Sequence, residues 1–272
     1  MQRNSFRLAA LCPVLALALA STYGAAKADV LASDNYSNLT VGPVAGQAVG
    51  GTGLTGNWYQ TPGLYSGLGY IGSNMIGRPS NDGANAGDTA AFAGSGFLLN
   101  SGQVFVSIEI TSTAPDLYSS RLDLNTSAGT EYLGGIGPAH SQLAFDAFGA
   151  LLTDPSSTTL GTNLLVGVLD FTNDKLALFV DPTSSSYYNA NGTNNADVTA
   201  VWSPPASFTA LSYNLVDNLS DTATFTNFKL STDFASAANL TATTPEPGAF
   251  AMMAGAGLAG IGVLRRRGKR DA

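Results

Sequence analysis

Between Asp29 and Thr244 stretches of apolar alternation at period two recur, without long helical stripes, and this alternation predicts strands. Val104, Val106, Ile108 and Ile110 line one face of a strand whose other face carries Phe105, Ser107 and Glu109, the pattern of a half-buried antiparallel strand. Leu164 to Phe171 is apolar on both faces, as a strand in the middle of a two-layer structure would be. The polar turn Thr172-Asn173-Asp174 leads into Lys175 to Val180, where Leu176, Leu178 and Val180 alternate with Ala177 and Phe179, so the two strands should form a hairpin. Further strands are expected at Leu143 to Phe148, Phe208 to Leu215 and Thr222 to Leu230, separated by polar clusters such as Asn81 to Asp88 and Ser184 to Asn195.

No repeat of fixed period is present, which argues against a β-helix or a propeller. The expectation is an all-β antiparallel sandwich over residues 29–240, a length that one core can serve.

Two segments break the alternation, one at each end. Arg3 and Arg7, the apolar run Leu8 to Ala20 and the small-residue signal Ala26-Lys27-Ala28 have the organisation of a signal peptide over residues 1–28, so export machinery and a signal peptidase are expected partners. Cys12, the one cysteine, would leave with it, and the mature chain would carry neither disulfides nor thiol chemistry. At the other end, over residues 241–272, Pro245-Glu246-Pro247 precedes an uncharged run of 17 residues from Gly248 to Leu264 and then Arg265-Arg266-Arg267-Gly268-Lys269-Arg270. As a helix the run reaches about 25 Å, slightly short of a hydrocarbon core, and spans a membrane with help from flanking arginines. The basic stop at Arg265, Arg266 and Arg267 resists translocation and stays cytoplasmic.

These three parts resemble the PEP-CTERM sorting tail of Gram-negative bacteria, a region some classifications label the C-terminal domain of ice-binding proteins. The resemblance implies recognition of Pro245, Glu246 and Pro247 by an exosortase, a membrane-embedded protease. It also implies transient anchoring in the inner membrane and delivery to the cell surface, outer envelope or exopolysaccharide matrix. A second resemblance concerns the ectodomain. Asp34-Asn35-Tyr36, the stretch Gly50-Gly51-Thr52-Gly53-Leu54-Thr55-Gly56-Asn57-Trp58, the hairpin of Leu165 to Phe171 with Lys175 to Pro182, and Phe225 to Leu230 are similar to concanavalin-like, laminin-G-type jelly rolls. That resemblance implies a jelly-roll sandwich and a polysaccharide-related role.

Charge narrows the partners. Between Asp29 and Thr244 only Arg78, Arg121, Lys175 and Lys229 are basic, against 17 Asp and Glu, so nucleic acid and anionic membrane surfaces are repelled. His140 is the one histidine, no G-x-S-x-G elbow exists, and zinc or copper centres have no ligand set. The letters G-x-G-x-x-G at Gly255 to Gly260 fall in the apolar tail with no βαβ unit around them, so they are not a dinucleotide site. No cofactor is expected, calcium apart. Asp82 and Asp88, on the Gly-rich stretch Asn81 to Asp88, are candidate calcium ligands, and polar turn chemistry explains the same residues.

A glycosidase needs only a pair of carboxylates, but the E-x-D-x-x-E spacing typical of concanavalin-like hydrolases is absent, and the expectation is a non-enzymatic protein. Sugar rings stack on aromatics beside polar loops, where Trp58, Tyr59, Trp202, Tyr187 and Tyr188 lie; Tyr187, Tyr188, Trp202 and Trp58 are the candidate binding residues, with Trp58 also a candidate for the core. Thr222, Thr224 and Thr226 form one short threonine row without the continuation that ice binding would need. An exported surface or matrix protein, with carbohydrate as its candidate ligand, is the first reading. A secreted polysaccharide hydrolase or lyase and a purely structural matrix component are its competitors.

Overall fold

The computed structural model describes residues 30–62, 64, 67–77, 86–112, 120–135, 142–155, 160–205, 208–217 and 223–240. The expected signal peptide, the expected sorting tail and membrane-spanning run, Asp82, His140 and the start of the threonine row at Thr222 lie outside these residues. Among the described residues no helix is long and apolar enough to cross a membrane.

In chain order the strands are β1 (Val30–Asp34), β2 (Gly42–Pro43), β3 (Leu54–Gln60), β4 (Gly69–Gly72), β5 (Met75–Gly77) and β6 (Ala86–Phe92). They continue with β7 (Phe97–Leu99), β8 (Gln103–Ser112), β9 (Arg121–Thr126), β10 (Gly129–Gly135), β11 (Leu143–Ala147) and β12 (Ala150–Asp154). The last are β13 (Gly161–Asp170), β14 (Lys175–Val180), β15 (Val198–Val201), β16 (Phe208–Asp217) and β17 (Ala223–Ser231), followed by one helical turn, α1 (Phe234–Ala237).

All pairings are antiparallel and assemble two sheets. A nine-stranded sheet runs β15-β14-β13-β8-β17-β5-β4-β2, with β1 added on β17. An eight-stranded sheet runs β12-β11-β10-β9-β16-β6-β3, with β7 added on β16. Between them lies one apolar core: Val104, Val106, Ile108 and Ile110 of β8 face Leu122 and Leu124 of β9, Phe145 of β11 and Tyr213 of β16 within the same cluster. The hairpin read from Leu164 to Val180 is present as β13 and β14, with Leu165 paired to Val180 and Asp170 to Lys175. The strand expected from Val104 to Ile110 is β8, but it is covered on both faces. Phe105 is 1 % exposed and Ser107 fully buried, because a second apolar layer packs outside the sheet.

The Gly-rich stretch after β1 has a steric cause. A Cβ on Gly51 (φ +79°) would sit 1.8 Å from the Ser33 carbonyl oxygen, and one on Gly53 2.1 Å from that of Leu31. Only glycine lets this segment lie against β1.

Candidate functional site

The two sheets present opposite outer faces, and the candidate residues distribute between them and the core. Trp58 is 1 % exposed, edge-on to Tyr36 (6.0 Å) and Tyr213 (5.5 Å), and so belongs to the core. Trp202 is 4 % exposed and packs on Phe148 and Phe171. Tyr188 is buried under the loop that follows β14, where its hydroxyl donates to Asp170 Oδ2 at 3.0 Å. Of the four aromatics only Tyr187 is open, at 40 % exposure, on that same loop. The structure therefore does not bring them together as one platform. Asp88 is turned inward from β6 and is fully buried, where its Oδ2 accepts the Leu68 amide at 2.5 Å. Burial raises its carboxyl to about 6. No group of three or more His, Cys, Asp or Glu suited to a metal is found among the described residues.

The outer face of the nine-stranded sheet is closed. Phe105, Val166, Val168, Ala177 and Phe179 point outward from β8, β13 and β14, and Tyr188 and α1 residues Phe234 and Ala237 cover them. Asp170, fully buried at the end of β13, anchors the covering loop. Its two oxygens accept from the Thr172 and Asn173 amides, Gln103 Nε2, Asn173 Nδ2 and the Tyr188 hydroxyl, all within 3.0 Å. Gln103 and Asn173 also donate to the Asn189 and Ala190 carbonyls of that loop. Asp233 caps α1 by accepting the Ser236 amide at 2.7 Å, and Lys229 Nζ donates to the Ser236 carbonyl.

The outer face of the eight-stranded sheet is built differently. Strand alternation turns Leu122, Leu124, Leu133, Phe145, Tyr213 and Leu215 inward, which turns their polar neighbours outward. Register then aligns them: Tyr59 pairs with Thr89, Thr89 with Asn214, Asn214 with Asp123, Asp123 with Tyr132, and Tyr132 with Asp146. A row of side chains thus crosses six strands. Asp123 and Asn214, at 6 % and 7 % exposure, form its floor. Tyr132, Asp146, Arg121, Asn125 and Thr130 are half-exposed around it.

The row is internally bonded. Asn214 Oδ1 accepts from Thr89 Oγ1 (2.7 Å) and Asn125 Nδ2 (2.8 Å), and Thr130 Oγ1 donates to Asn125 Oδ1 (3.2 Å). Arg121 Nε donates to Asp123 Oδ1 at 2.6 Å while its guanidinium lies 4.7 Å over the centre of the Tyr132 ring. Desolvation lifts the Asp123 carboxyl to about 6, and the Arg121 charge pulls in the opposite sense. These contacts fix Tyr132 and the floor in one geometry, which lowers the entropy a ligand must remove on binding.

Behind the row, on the inward side of β10, Glu131 is 1 % exposed and its Oε2 accepts the Phe148 amide at 2.6 Å. Phe148 (φ +51°) and Gly149 (φ +80°) form the two-residue turn between β11 and β12. Desolvation raises the Glu131 carboxyl to about 7.

Of the outward row, Tyr59 alone stands among the aromatics that the sequence places beside polar loops. The signal available was the alternation itself: Arg121, Asp123 and Asn125 between Leu122 and Leu124, and Ser212 and Asn214 beside Tyr213 and Leu215.

No protein family's sequence model matches the chain, and no curated protein matches it. Similar solved structures include lectin II of Ulex europaeus in complex with galactose, at 10 % identity and TM-score 0.43, covering 75 % of this chain and 99 % of that one. A glycosyl hydrolase family protein of Mycobacterium fortuitum is similar at 13 % identity and TM-score 0.43, over 74 % of this chain and 99 % of that one. The globular domain of T. cruzi calreticulin is similar at 10 % identity and TM-score 0.43, over 78 % and 91 %.

Proposed function

We propose that the chain is an exported, non-enzymatic protein of the cell surface or exopolysaccharide matrix, which binds polysaccharide through the outer face of its eight-stranded sheet. On this reading the sandwich is a concanavalin-like jelly roll. The observation that carries the proposal is the aligned row from Tyr59 to Asp146: a tyrosine ring held in place, with amide, hydroxyl and guanidinium groups on either side. Sugar rings offer apolar C–H faces to such a ring and hydroxyls to such neighbours.

The competing reading, a glycosidase, draws on the same row. Asp123 and Asp146 flank Tyr132 two strands apart, about 10 Å at the backbone, near the upper end of the carboxyl separation of inverting enzymes. Against turnover stands Asp123 itself, which lies at the floor with its Oδ1 engaged by Arg121.

An array of bacterial and plant polysaccharides probed with the purified chain tests the reading. Saturable binding should weaken by about tenfold or more in Tyr132→Ala, with no product formed, and stay unchanged in Tyr187→Ala on the opposite face. Turnover abolished at Asp146 would replace it with the enzyme reading, and absence of any binding would leave a structural matrix component.

Sorting is proposed from the tail: Pro245-Glu246-Pro247, the apolar run and the arginines direct the chain to an exosortase. In Glu246→Ala, with both prolines kept, export should proceed while the intact mass retains the tail. A processed tail in that variant would remove the assignment.

A further inference from the structure

Charge narrows the ligand of this face, on the premise that the face binds glycan. The ectodomain from Asp29 to Thr244 holds 17 acids and four bases. The three cations among the described residues are each engaged: Lys175 Nζ donates to the Gly192 carbonyl, Lys229 Nζ to the Ser236 carbonyl, and Arg121 pairs with Asp123. Arg121 and Asp123 cancel one another on the row. Asp146 remains, half-exposed and directly opposite Tyr132, with no side-chain hydrogen bond or ion pair among the described residues. The Tyr132 ring attracts positive charge, as the guanidinium over it already shows.

A uronate-bearing polymer would set its carboxylates against Asp146 and against the field of the whole domain. A neutral polymer would offer Asp146 hydroxyl donors but no charge to offset its own. We propose that the face binds a glycan bearing free amines, a glucosamine-type polymer, with the ammonium paired to Asp146 and the sugar ring against Tyr132.

The test uses the purified full-length chain and two oligosaccharides of equal length and linkage, a glucosamine hexamer and its fully N-acetylated counterpart, titrated below the amine pKa. The free-amine hexamer should bind about tenfold more tightly, with an advantage that shrinks as salt is raised. Asp146→Asn should bring the two hexamers within about twofold, chiefly by weakening the free-amine hexamer. Asp174→Asn, an exposed acid at the far turn, should keep the preference. Equal binding of the two hexamers, a preference that survives Asp146→Asn, or one lost equally in Asp174→Asn would each overturn the inference. If a neutral polysaccharide binds in a Tyr132-dependent way without an amine preference, the inference falls and the glycan-binding face stands. If nothing binds and Tyr132→Ala changes nothing, both fall.

Discussion

The outer faces of the two sheets start from the same device, a strand with alternate residues turned away from the core, and reach opposite ends. On the nine-stranded sheet the outward residues of β8, β13 and β14 are Phe105, Val166, Val168 and Phe179, and the chain folds its own loop and α1 over them. On the eight-stranded sheet the outward residues are Arg121, Asp123, Asn125, Tyr132, Asp146 and Asn214, bonded laterally to each other. An apolar outer face must be covered and so becomes a second core. A polar one can satisfy itself within the sheet and stay open to solvent. On the proposed reading burial separates stability from recognition, and the difference can be attacked from either side.

The largest effect is expected on the covered face. Phe179 is 1 % exposed, 4.6 Å from the Phe234 ring centroid and 6.5 Å from that of Tyr188. Phe179→Ala should lower the unfolding free energy by about 3–5 kcal/mol, through lost burial and the cavity left behind. Chemical denaturation measures it, and glycan affinity below the transition should not move. Tyr132→Ala should do the reverse: weakened binding, with stability lowered by only about 1 kcal/mol. If Phe179→Ala also abolished binding, or if Tyr132→Ala unfolded the chain, the two faces would not be functionally separate.

The contrast explains what could be read in advance. The hairpin from Leu164 to Val180 is local: an apolar run, a turn and a second run, and the ladder pairs them as expected. That β13 is apolar on both faces was equally plain, whereas Phe105 opposite Val104 and Val106 also announced a second layer that the half-buried reading of β8 passed over. The row could not be read this way. Thr89, Asp123, Tyr132, Asp146 and Asn214 come from five strands separated by up to 125 positions, and only tertiary pairing places them in line. Within each strand they look like ordinary solvated positions. The aromatics that did attract notice, Trp58, Trp202 and Tyr188, are large enough that burial is their commonest fate, with Tyr188 keeping a hydroxyl partner in Asp170.

A smaller effect separates the inward and outward sides of the same sheet. Glu131 faces the core directly behind the row, and burial raises its carboxyl from 4.5 to about 7. Asp34, Asp88 and Asp123 are each raised from 3.8 to about 6 by the same cause. A carboxyl whose folded value lies above its unfolded value holds its proton more tightly in the folded state. Between the two values the native chain binds more protons than the unfolded one, so stability falls as pH rises. For Glu131 the cost is absent below about 4.5 and complete above about 7. The thermal midpoint should therefore rise on acidification from pH 8 to pH 5, contrary to the usual loss when paired carboxylates are protonated. Glu131→Gln should flatten the part of that slope belonging to one proton, roughly 1–2 kcal/mol after relaxation around the charge is allowed for. Because Glu131 does not reach the outer face, the variant should keep Tyr132-dependent binding at every pH. A slope unchanged by Glu131→Gln would move the proton to Asp34, Asp88 or Asp123. Of these only Asp123 lies on the row, so a shared loss of slope and binding in Asp123→Asn would tie the acid response to the ligand face instead of to the core.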